Sequence, residues 1–271
     1  MTEENTPNAR QPSEEKCVAL TSSYRLFQPS RGHRYSVDDM LVAYVACTIA
    51  CEQVSREPKR VLDLGCGLAS VMLMIAWRFP HAKLVGVEAQ PEHVALARRN
   101  ILLNRCDERA SIIEGDLRLV DLSESPDVAE APFDLITATP PYFDPKASTV
   151  CSNTQRAYAQ WELRGGIEEY AKAAAKVLSS DGRFVTCSSW KPEGRALRAF
   201  EQADLKPVWR CDVEPRPNAE PFLSLWVVIR SSPNEPAVIE HPRLLLRNSD
   251  GTRTPAHIQI REWFGIRCGL R

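Results

Sequence analysis

A carboxylate and two glycines at close spacing form the first candidate site, in the sequence DLGCG that contains Asp63, Gly65 and Gly67. Gly65 allows the chain to turn sharply, and Gly67 removes the side chain where a ligand would contact the backbone. Glu88 follows roughly 20 residues later, at the spacing typical of a carboxylate that binds ribose hydroxyl groups. The segment therefore predicts a site for a ligand that contains a nucleoside.

The details of this loop distinguish between two nucleoside ligands. A dinucleotide-binding loop would have Gly or Ala at position 70, where this chain has Ser70 preceded by Ala69. The negative charge of Asp63 would repel a pyrophosphate and attract the ammonium group of an amino acid. These features favour S-adenosylmethionine over NAD, and a turn that binds nothing is the alternative.

A further carboxylate, Asp116, closes a third apolar run in the sequence EGDL. In an open α/β sheet the carboxyl ends of the strands meet at one crevice, so Asp116 is expected beside the same ligand. There it can accept a hydrogen bond from the adenine amine. Because a strand-terminal aspartate often caps a helix, the capping role is the alternative.

Two consecutive prolines form the second candidate site, in the sequence Thr139-Pro140-Pro141-Tyr142-Phe143. The prolines fix φ and remove two backbone donors, so the neighbouring carbonyl groups are left outside any strand pairing. Tyr142 offers an aromatic face to a planar base. The segment predicts a substrate site, with a plain loop as the alternative.

Alternating apolar runs and helical segments must position these residues. Seven short strands are predicted, beginning with RVLDLG and ending with FLSLWVVIRSS, with helices between most of them. This alternation predicts an α/β fold with a doubly wound, mostly parallel seven-stranded sheet. The last two strands flank a short proline-rich turn, so we expect them to be antiparallel neighbours at one edge. Ser36, with Asp39 three residues later, predicts a helix start.

The motifs DLGCG, VE, GD and PPYF, in this order, resemble those of the class I S-adenosylmethionine-dependent methyltransferases, which have a Rossmann-like fold. The segment GHRYSVDD, 32–39, is similar to bacterial enzymes that methylate N6 of an adenosine in the anticodon loop of a valine tRNA. The resemblance extends from about Phe27 to Val228. It implies S-adenosylmethionine as cofactor, an RNA substrate (a tRNA first), and a cytoplasmic, monomeric enzyme without a metal or a membrane partner.

The resemblance also implies roles for individual residues. The cofactor would contact Arg34, Tyr35, Ser36, Asp63, Gly65, Cys66, Gly67, Glu88, Ala89, Asp116 and Leu117. The catalytic segment would be Thr139, Pro140, Pro141 and Tyr142. Two hydrogen-bond acceptors around the target amine, the Pro140 carbonyl and residue 139, would stabilise the charge that develops on its nitrogen. Tyr142 would stack on a flipped base.

The chain departs from the family at Thr139, where an Asn or Asp is expected. A hydroxyl still accepts a hydrogen bond but reaches less far than an amide oxygen. Three interpretations stay open: an RNA amine methylase, a methylase of a protein amide or small-molecule amine, and an inactive scaffold that binds RNA. The following segment, 155–166, is long enough to cover the substrate, and its Trp161 is either a stacking platform or a hinge packed on the core.

Composition separates the ends from the central domain. The 271 residues carry 34 Lys+Arg, 35 Asp+Glu and nine cysteines without a CxxC pair, which indicates reduced thiols and no global attraction to nucleic acid. The longest apolar run, Leu41 to Cys51, is well short of the ~20 residues of a membrane span.

The predicted divisions are a disordered tail 1–20, a helical cofactor-covering segment 21–58, a methyltransferase domain 59–232 and a basic extension 233–271. Its last part, 241–271, carries six arginines and two acids and is either a solvated hairpin or a phosphate-contacting surface.

Overall fold

The structure, a computed structural model, describes residues 14–54, 56–120, 132–143, 145, 154–232 and 237–266. Its strands are β1 Glu15–Ala19, β2 Arg25–Pro29, β3 Arg60–Leu64, β4 Lys83–Glu88, β5 Ala110–Glu114, β6 Phe133–Ala138, β7 Leu178–Ser189, β8 Leu205–Glu214, β9 Leu223–Arg230 and β10 Ile239–Leu245. Its helices are α1 Val37–Val45, α2 Cys51–Val54, α3 Ser70–Arg78, α4 Pro91–Leu103, α5 Thr154–Gln160, α6 Ile167–Val177, α7 Arg195–Gln202 and α8 Pro255–Trp263. A π-helical turn, Ala46–Ala50, joins α1 to α2.

Local sequence signals account for the elements around the site. Ser36 precedes α1 and donates its backbone N–H to the Asp39 carboxylate at 3.2 Å, so the predicted helix start is confirmed. Pro91 occupies the first turn of α4, where its missing N–H costs nothing. Strand β3 is buried on both faces, as its continuous apolar run predicts for a parallel strand covered by helices.

The main sheet has the order β10-β8-β9-β7-β6-β3-β4-β5. The α/β class and the mostly parallel pairing are confirmed, and the seven predicted strands are all present. The predicted number is too low by one, because β10 adds an eighth strand in parallel to β8. The antiparallel pairing of β8 and β9 is also confirmed. The antiparallel strand does not lie at the edge, because β9 inserts between β7 and β8 and pairs with both.

Helices cover both faces of this sheet, which confirms the doubly wound arrangement. One buried cluster joins α1, α3 and α4 to the sheet and includes Leu41, Leu73 and Ile101. A second cluster lies on the other face under α6 and α7 and includes Ala174 and Phe200. Because helices cover both faces of the sheet, a ligand-binding site is expected at the carboxyl ends of the strands.

Both end segments are more ordered than the sequence predicts. The expected tail, 1–20, includes β1, which pairs antiparallel with β2; residues 1–13 lie outside the described residues. The basic extension contributes β10 and α8, and Ile260 and Phe264 of α8 and its end belong to the buried core. The extension is therefore not a solvated hairpin, although the predicted turn at 248–252 is present, where the Asn248 N–H donates to the Thr252 carbonyl at 2.8 Å.

Candidate active site

The two loops that the sequence singled out open onto one cavity. Strands β3 and β6 are parallel neighbours, with Leu64 opposite Ala138, so the glycine loop after β3 and the Pro-Pro-Tyr loop after β6 leave the sheet side by side. This position is the point where the strand order reverses. The cavity has a volume of about 530 Å³, which suits a small-molecule ligand.

The predicted site residues are brought together, with one difference. The cavity is lined by Arg34, Tyr35, Ser36, Gly65, Cys66, Gly67, Glu88, Ala89, Asp116, Leu117, Thr139, Pro140, Pro141 and Tyr142. Asp63 is instead buried near it, with 2% of its surface exposed. Three lining residues that sequence reasoning did not assign to the site are Asp38, Asp39 and His93.

Backbone geometry explains the residue types of the glycine loop. Gly65 has a φ of +66°, and a Cβ at this position would lie 2.6 Å from the hydroxyl oxygen of Tyr170. Gly67 has a φ of +55°, and no heavy atom among the described residues lies within 4 Å of the corresponding Cβ position. Ala69 also has a positive φ, 66°, at the start of α3. The loop therefore presents bare backbone to the cavity, at the cost of strain at Ala69.

Two buried carboxylates lie behind this loop. Asp63 Oδ1 accepts a hydrogen bond from the Thr137 hydroxyl at 2.8 Å, whereas Oδ2 has no hydrogen-bond partner among the described residues. Burial raises the pKa of Asp63 to about 7, and the nearby charge of Asp39 adds to this effect. Burial and the charge of Asp38 likewise raise the pKa of Asp39 to about 7. A cation in the cavity would relieve both groups.

Glu88, the last residue of β4, holds the glycine loop in place. Its Oε2 accepts the Gly67 N–H at 2.9 Å and its Oε1 accepts the Gln90 N–H at 2.7 Å. Burial acts to raise the pKa of Glu88, but the hydrogen bond and charge of His93 and these two backbone donors outweigh it, so its pKa is lowered. Glu88 is thus an ionised acceptor at neutral pH with lone pairs facing the cavity.

Two histidines extend this polar end of the cavity. His93 lies against Gln90, with 3.1 Å between Nδ1 and the amide nitrogen, and its Nε2 is buried without a partner among the described residues. The rings of His33 and His93 are 5.7 Å apart. Burial and the proximity of His93 lower the pKa of His33 to about 4, so His33 is neutral at pH 7 and can donate or accept a hydrogen bond.

Asp116 lies at the cavity as expected, but its carboxylate already has a partner. Arg118 donates to it from the backbone N–H at 3.0 Å, from Nε at 2.9 Å and from Nη2 at 2.6 Å. These hydrogen bonds lower the pKa of Asp116, and those from the Arg118 side chain have the largest effect. The role as acceptor for an adenine amine stays a prediction, because each carboxylate oxygen has a further lone pair.

The first turn of α1 reaches the Pro-Pro-Tyr loop. Asp39 Oδ2 accepts hydrogen bonds from the Ser36 N–H and from the Ser70 hydroxyl, at 3.2 and 3.1 Å, and the carboxylate also has a hydrogen bond with Thr139. Asp38 is hydrogen-bonded to the Tyr142 hydroxyl. The VDD sequence after Ser36 was the signal for both residues, but it was used only for the helix start and the family resemblance, and neither residue was assigned to the site.

An aromatic series continues outward from the loop. The rings of Tyr142 and Phe143 are 5.2 Å apart and those of Phe143 and Trp161 are 5.4 Å apart, and Phe143 is 42% exposed. Phe143 also pairs through its backbone with 160–162. Trp161 therefore packs on the aromatic series at the cavity rather than in the core.

Arg195 anchors the segment that carries Trp161. Its guanidinium donates to both carboxylate oxygens of Glu162, at 2.7 and 2.9 Å, and to both of Glu168, at 2.7 and 2.8 Å. Such bidentate hydrogen bonds between a guanidinium group and a carboxylate are strong and directional. They connect the segment after α5 to helices α6 and α7.

Comparison with known proteins agrees with the fold. Residues 46–191 match the family model for the methyltransferase small domain. A protein of Porphyromonas gingivalis named tRNA1(Val) (adenine(37)-N6)-methyltransferase is 29% identical over 214 residues, which span 76% of this chain and 80% of that protein. A protein of the same name from Yersinia pestis is 28% identical over 203 residues, or 74% and 77% of the two chains. The structure of a predicted O-methyltransferase of Agrobacterium tumefaciens superposes with a TM-score of 0.61 at 18% identity, covering 86% of this chain and all of that one.

The fold and the family match define an S-adenosylmethionine-dependent methyltransferase. The chain belongs to the methyltransferase small domain family. The residues present fit the cofactor, because the unpartnered oxygen of Asp63 and the charge of Asp39 suit a positively charged amino acid, and the open backbone at Gly67 leaves room for it. No described helix has the length and apolar character that crossing a bilayer requires.

Proposed function

We propose that this enzyme methylates the N6 amine of an adenine in a tRNA. The observation that carries the proposal is that Thr139, Pro140 and Tyr142 line the same cavity as Gly65 and Gly67. In the proposal, the acceptor site for a planar amine and the cofactor site are two parts of this one cavity. The names of the relatives from P. gingivalis and Y. pestis support the choice of tRNA and of adenine N6.

The cofactor, when bound, supplies a methyl group on a positively charged sulfur. Asp63 would hold its ammonium group, with the charge of Asp39 close by, and Glu88 would accept hydrogen bonds from its ribose hydroxyls. Asp116 would accept one from the adenine amine. The remaining cofactor contacts in the proposal come from Arg34, Tyr35, Ser36, Gly65, Cys66, Gly67, Ala89 and Leu117.

The target amine needs acceptors because its lone pair is shared with the adenine ring. In the proposal the Pro140 carbonyl accepts one amine hydrogen and the Thr139 hydroxyl oxygen accepts the other. Asp39 accepts the hydroxyl hydrogen of Thr139, so that only oxygen lone pairs remain for the amine. A carboxylate from α1 thereby makes the Thr139 oxygen a better oriented and stronger acceptor, although it reaches less far than the Asn or Asp that the family resemblance implies at this position.

Tyr142 would hold the base against the acceptors. The hydrogen bond between its hydroxyl and Asp38 fixes the ring, and Phe143 packs against its edge. Stacking of a flipped base on such a ring contributes about 1–3 kcal/mol. The exposed ring of Phe143 would contact a base next to the flipped one.

The test is transfer of labelled methyl groups from S-adenosylmethionine to bulk tRNA, followed by nuclease digestion and identification of the modified nucleoside. We expect label in N6-methyladenosine and none after ribonuclease treatment of the substrate. The matched variants are T139V, which removes the acceptor, and T139S, which keeps it.

Other outcomes would replace the proposal by one of the alternatives. Label that enters protein or metabolite fractions and resists ribonuclease indicates a protein amide or small-molecule amine as substrate. Cofactor binding without transfer to any fraction indicates an inactive scaffold. The proposal also includes a cytoplasmic location and a monomeric state; sedimentation of the purified enzyme would test the second through its mass of 30.4 kDa, and cell fractionation would test the first.

A further inference from the structure

A second cavity lies beside the active site, on the side of the basic extension. It has a volume of about 770 Å³ and is lined by Pro215, Arg216, Phe222, Arg247, Asn248 and His257, among others. We call it the arginine groove. Val37 and Phe222 line both cavities, so the groove and the active site are adjacent.

Like charges lie close together beside this groove. Arg247 and Arg253 are partners in an antiparallel bridge across the turn at 248–252, a position where like charges destabilise a protein. Arg253 and Arg261 both lie within electrostatic reach of His257, as does Arg247: burial lowers the pKa of His257, and these three positive charges lower it further.

These arginines have no carboxylate partners in the described part of the chain. No ion pair is formed there by Arg216, Arg247, Arg253 or Arg261, and the Nε atoms of Arg253 and Arg261 are buried without a hydrogen bond. The Arg247 guanidinium donates only to the Gly251 carbonyl, at 2.7 Å.

Two acids of the neighbouring segments are already engaged. Glu214 pairs with Arg243 at 2.9 Å, and Asp250 accepts hydrogen bonds from Thr252 within the turn. Arg216 and Arg247 line the groove, and Arg253 is the bridge partner of Arg247, so three guanidinium groups bring positive charge to this part of the surface. Groups of this kind, beside apolar walls such as Pro215 and Phe222, suit the phosphates and sugars of a nucleic acid strand.

We infer that the arginine groove binds the phosphodiester backbone of the RNA next to the base that enters the active site. This inference rests on the proposed function and adds to it the surface that holds the substrate. Because phosphate contacts position a nucleic acid without reading its sequence, the groove would set affinity and register, while the active site would choose the base.

The experiment measures binding of an unmodified, fluorescently labelled valine tRNA transcript to the full-length chain at several salt concentrations. R247Q/R253Q should bind about tenfold more weakly, and its plot of log affinity against log salt should be shallower by roughly 1 to 2. The matched control is R243Q, which removes an exposed arginine that is paired with Glu214 and should leave the slope unchanged.

Two further readouts separate binding from folding. The R247Q/R253Q variant should melt at the same temperature as the wild type or higher, because a like-charge pair is removed, and its affinity for S-adenosylmethionine should not change. In methyl transfer, KM for the transcript should rise while kcat stays within about twofold.

The inference that the arginine groove binds RNA would be overturned by an unchanged salt slope in R247Q/R253Q, or by an equal change of slope in R243Q. Neither result depends on whether the transcript becomes methylated. Equal binding of an acidic peptide that displaces the transcript would overturn the assignment to a phosphodiester. A wild type that binds the transcript through these arginines yet methylates no RNA would overturn the proposed function and leave the groove standing.

Discussion

The carboxylate of Asp39, in the first turn of α1, forms a hydrogen bond with the hydroxyl of Thr139, in the loop after β6. One hundred residues of chain separate the two, and only the packing of α1 over the sheet brings them together. The same carboxylate accepts the Ser36 N–H and the Ser70 hydroxyl, so its position is fixed from three directions. Asp39 therefore both caps a helix and orients the residue that departs from the family motif.

Substitution of Thr139 tests the acceptor role directly. T139V removes the hydroxyl at similar volume, and we expect kcat to fall about 10²-fold, the scale of losing one preorganised polar contact. T139S should keep most of the activity, and T139N should keep or raise it when the target is an amine. Single-turnover methyl transfer at saturating cofactor measures these rates. Full activity of T139V would show that residue 139 does not contact the reacting amine.

Cofactor affinity should depend on pH because Asp39 and Asp63 both have a pKa of about 7 in the free protein. A bound cation favours their ionised forms, so affinity should rise as the pH increases toward 7, by up to about tenfold per pH unit for each proton released, and level off above about pH 8. Calorimetry at pH 6.5 in two buffers of different ionisation enthalpy would measure the release. D63N should bind more weakly and with a smaller pH slope; an equal slope in D63N would contradict the assignment.

The same raised pKa values predict how stability of the free protein changes with pH. Between about pH 4 and pH 7 the folded state holds protons on Asp39 and Asp63 that the unfolded chain has lost, so the free energy of unfolding should fall as pH rises through this window. D63N should therefore melt at a higher temperature than the wild type at pH 8, while binding the cofactor less well. A lower melting temperature for D63N would show that the ionised carboxylate is needed for folding.

Two substitutions distinguish a cofactor-binding role of Asp116 from a purely structural role as the ion-pair partner of Arg118. D116A should weaken S-adenosylmethionine binding by ~1–3 kcal/mol if the carboxylate accepts a hydrogen bond from the cofactor. R118A breaks the same ion pair and is the matched control, with cofactor affinity expected to stay within about threefold. Equal losses in the two variants would mean that Asp116 only supports the loop.

Sequence periodicity predicted the seven strands and the helices between them because each is a local apolar pattern. It did not predict β10, since the sequence IEHPRLL is largely exposed and contains a proline, and its pairing with β8 depends on the whole sheet. The glycine and Pro-Pro-Tyr loops were predictable because they follow neighbouring strands. The roles of Asp39 and His93 were not, because their side chains reach the cavity only after α1 and α4 pack on the sheet.

The strained residue of the glycine loop offers a test of the backbone geometry. Ala69 has a φ of 66°, a conformation that costs a residue with a Cβ about 1–2 kcal/mol. A69G should raise the melting temperature by about 2–4 °C, assuming a gain of ~1 kcal/mol. The same change at Ala76, inside α3, should lower it by a similar amount. Destabilisation by A69G would indicate that its methyl group, which is fully buried, contributes more than the strain costs.

Arg195 should control the segment that carries Trp161. R195K keeps the charge but loses the two-pronged contacts with Glu162 and Glu168, so amide hydrogen exchange over 156–165 should accelerate and KM for the tRNA should rise. K191Q removes an exposed ion pair with Glu220 and should change neither quantity. Unchanged exchange in R195K would show that backbone pairing with Phe143 holds the segment without Arg195.

The Ser22 N–H donates to the Phe264 carbonyl at 2.7 Å, which joins the segment before the sheet to the segment after it. Aromatic contacts between Trp263, Tyr44 and Trp77 reinforce this junction. During synthesis on the ribosome, the start of the domain must wait for residue 264 to emerge before it acquires its final neighbours. A nascent chain stalled upstream would therefore expose apolar surface on α1 and α3, and cellular quality control could distinguish it from the finished enzyme.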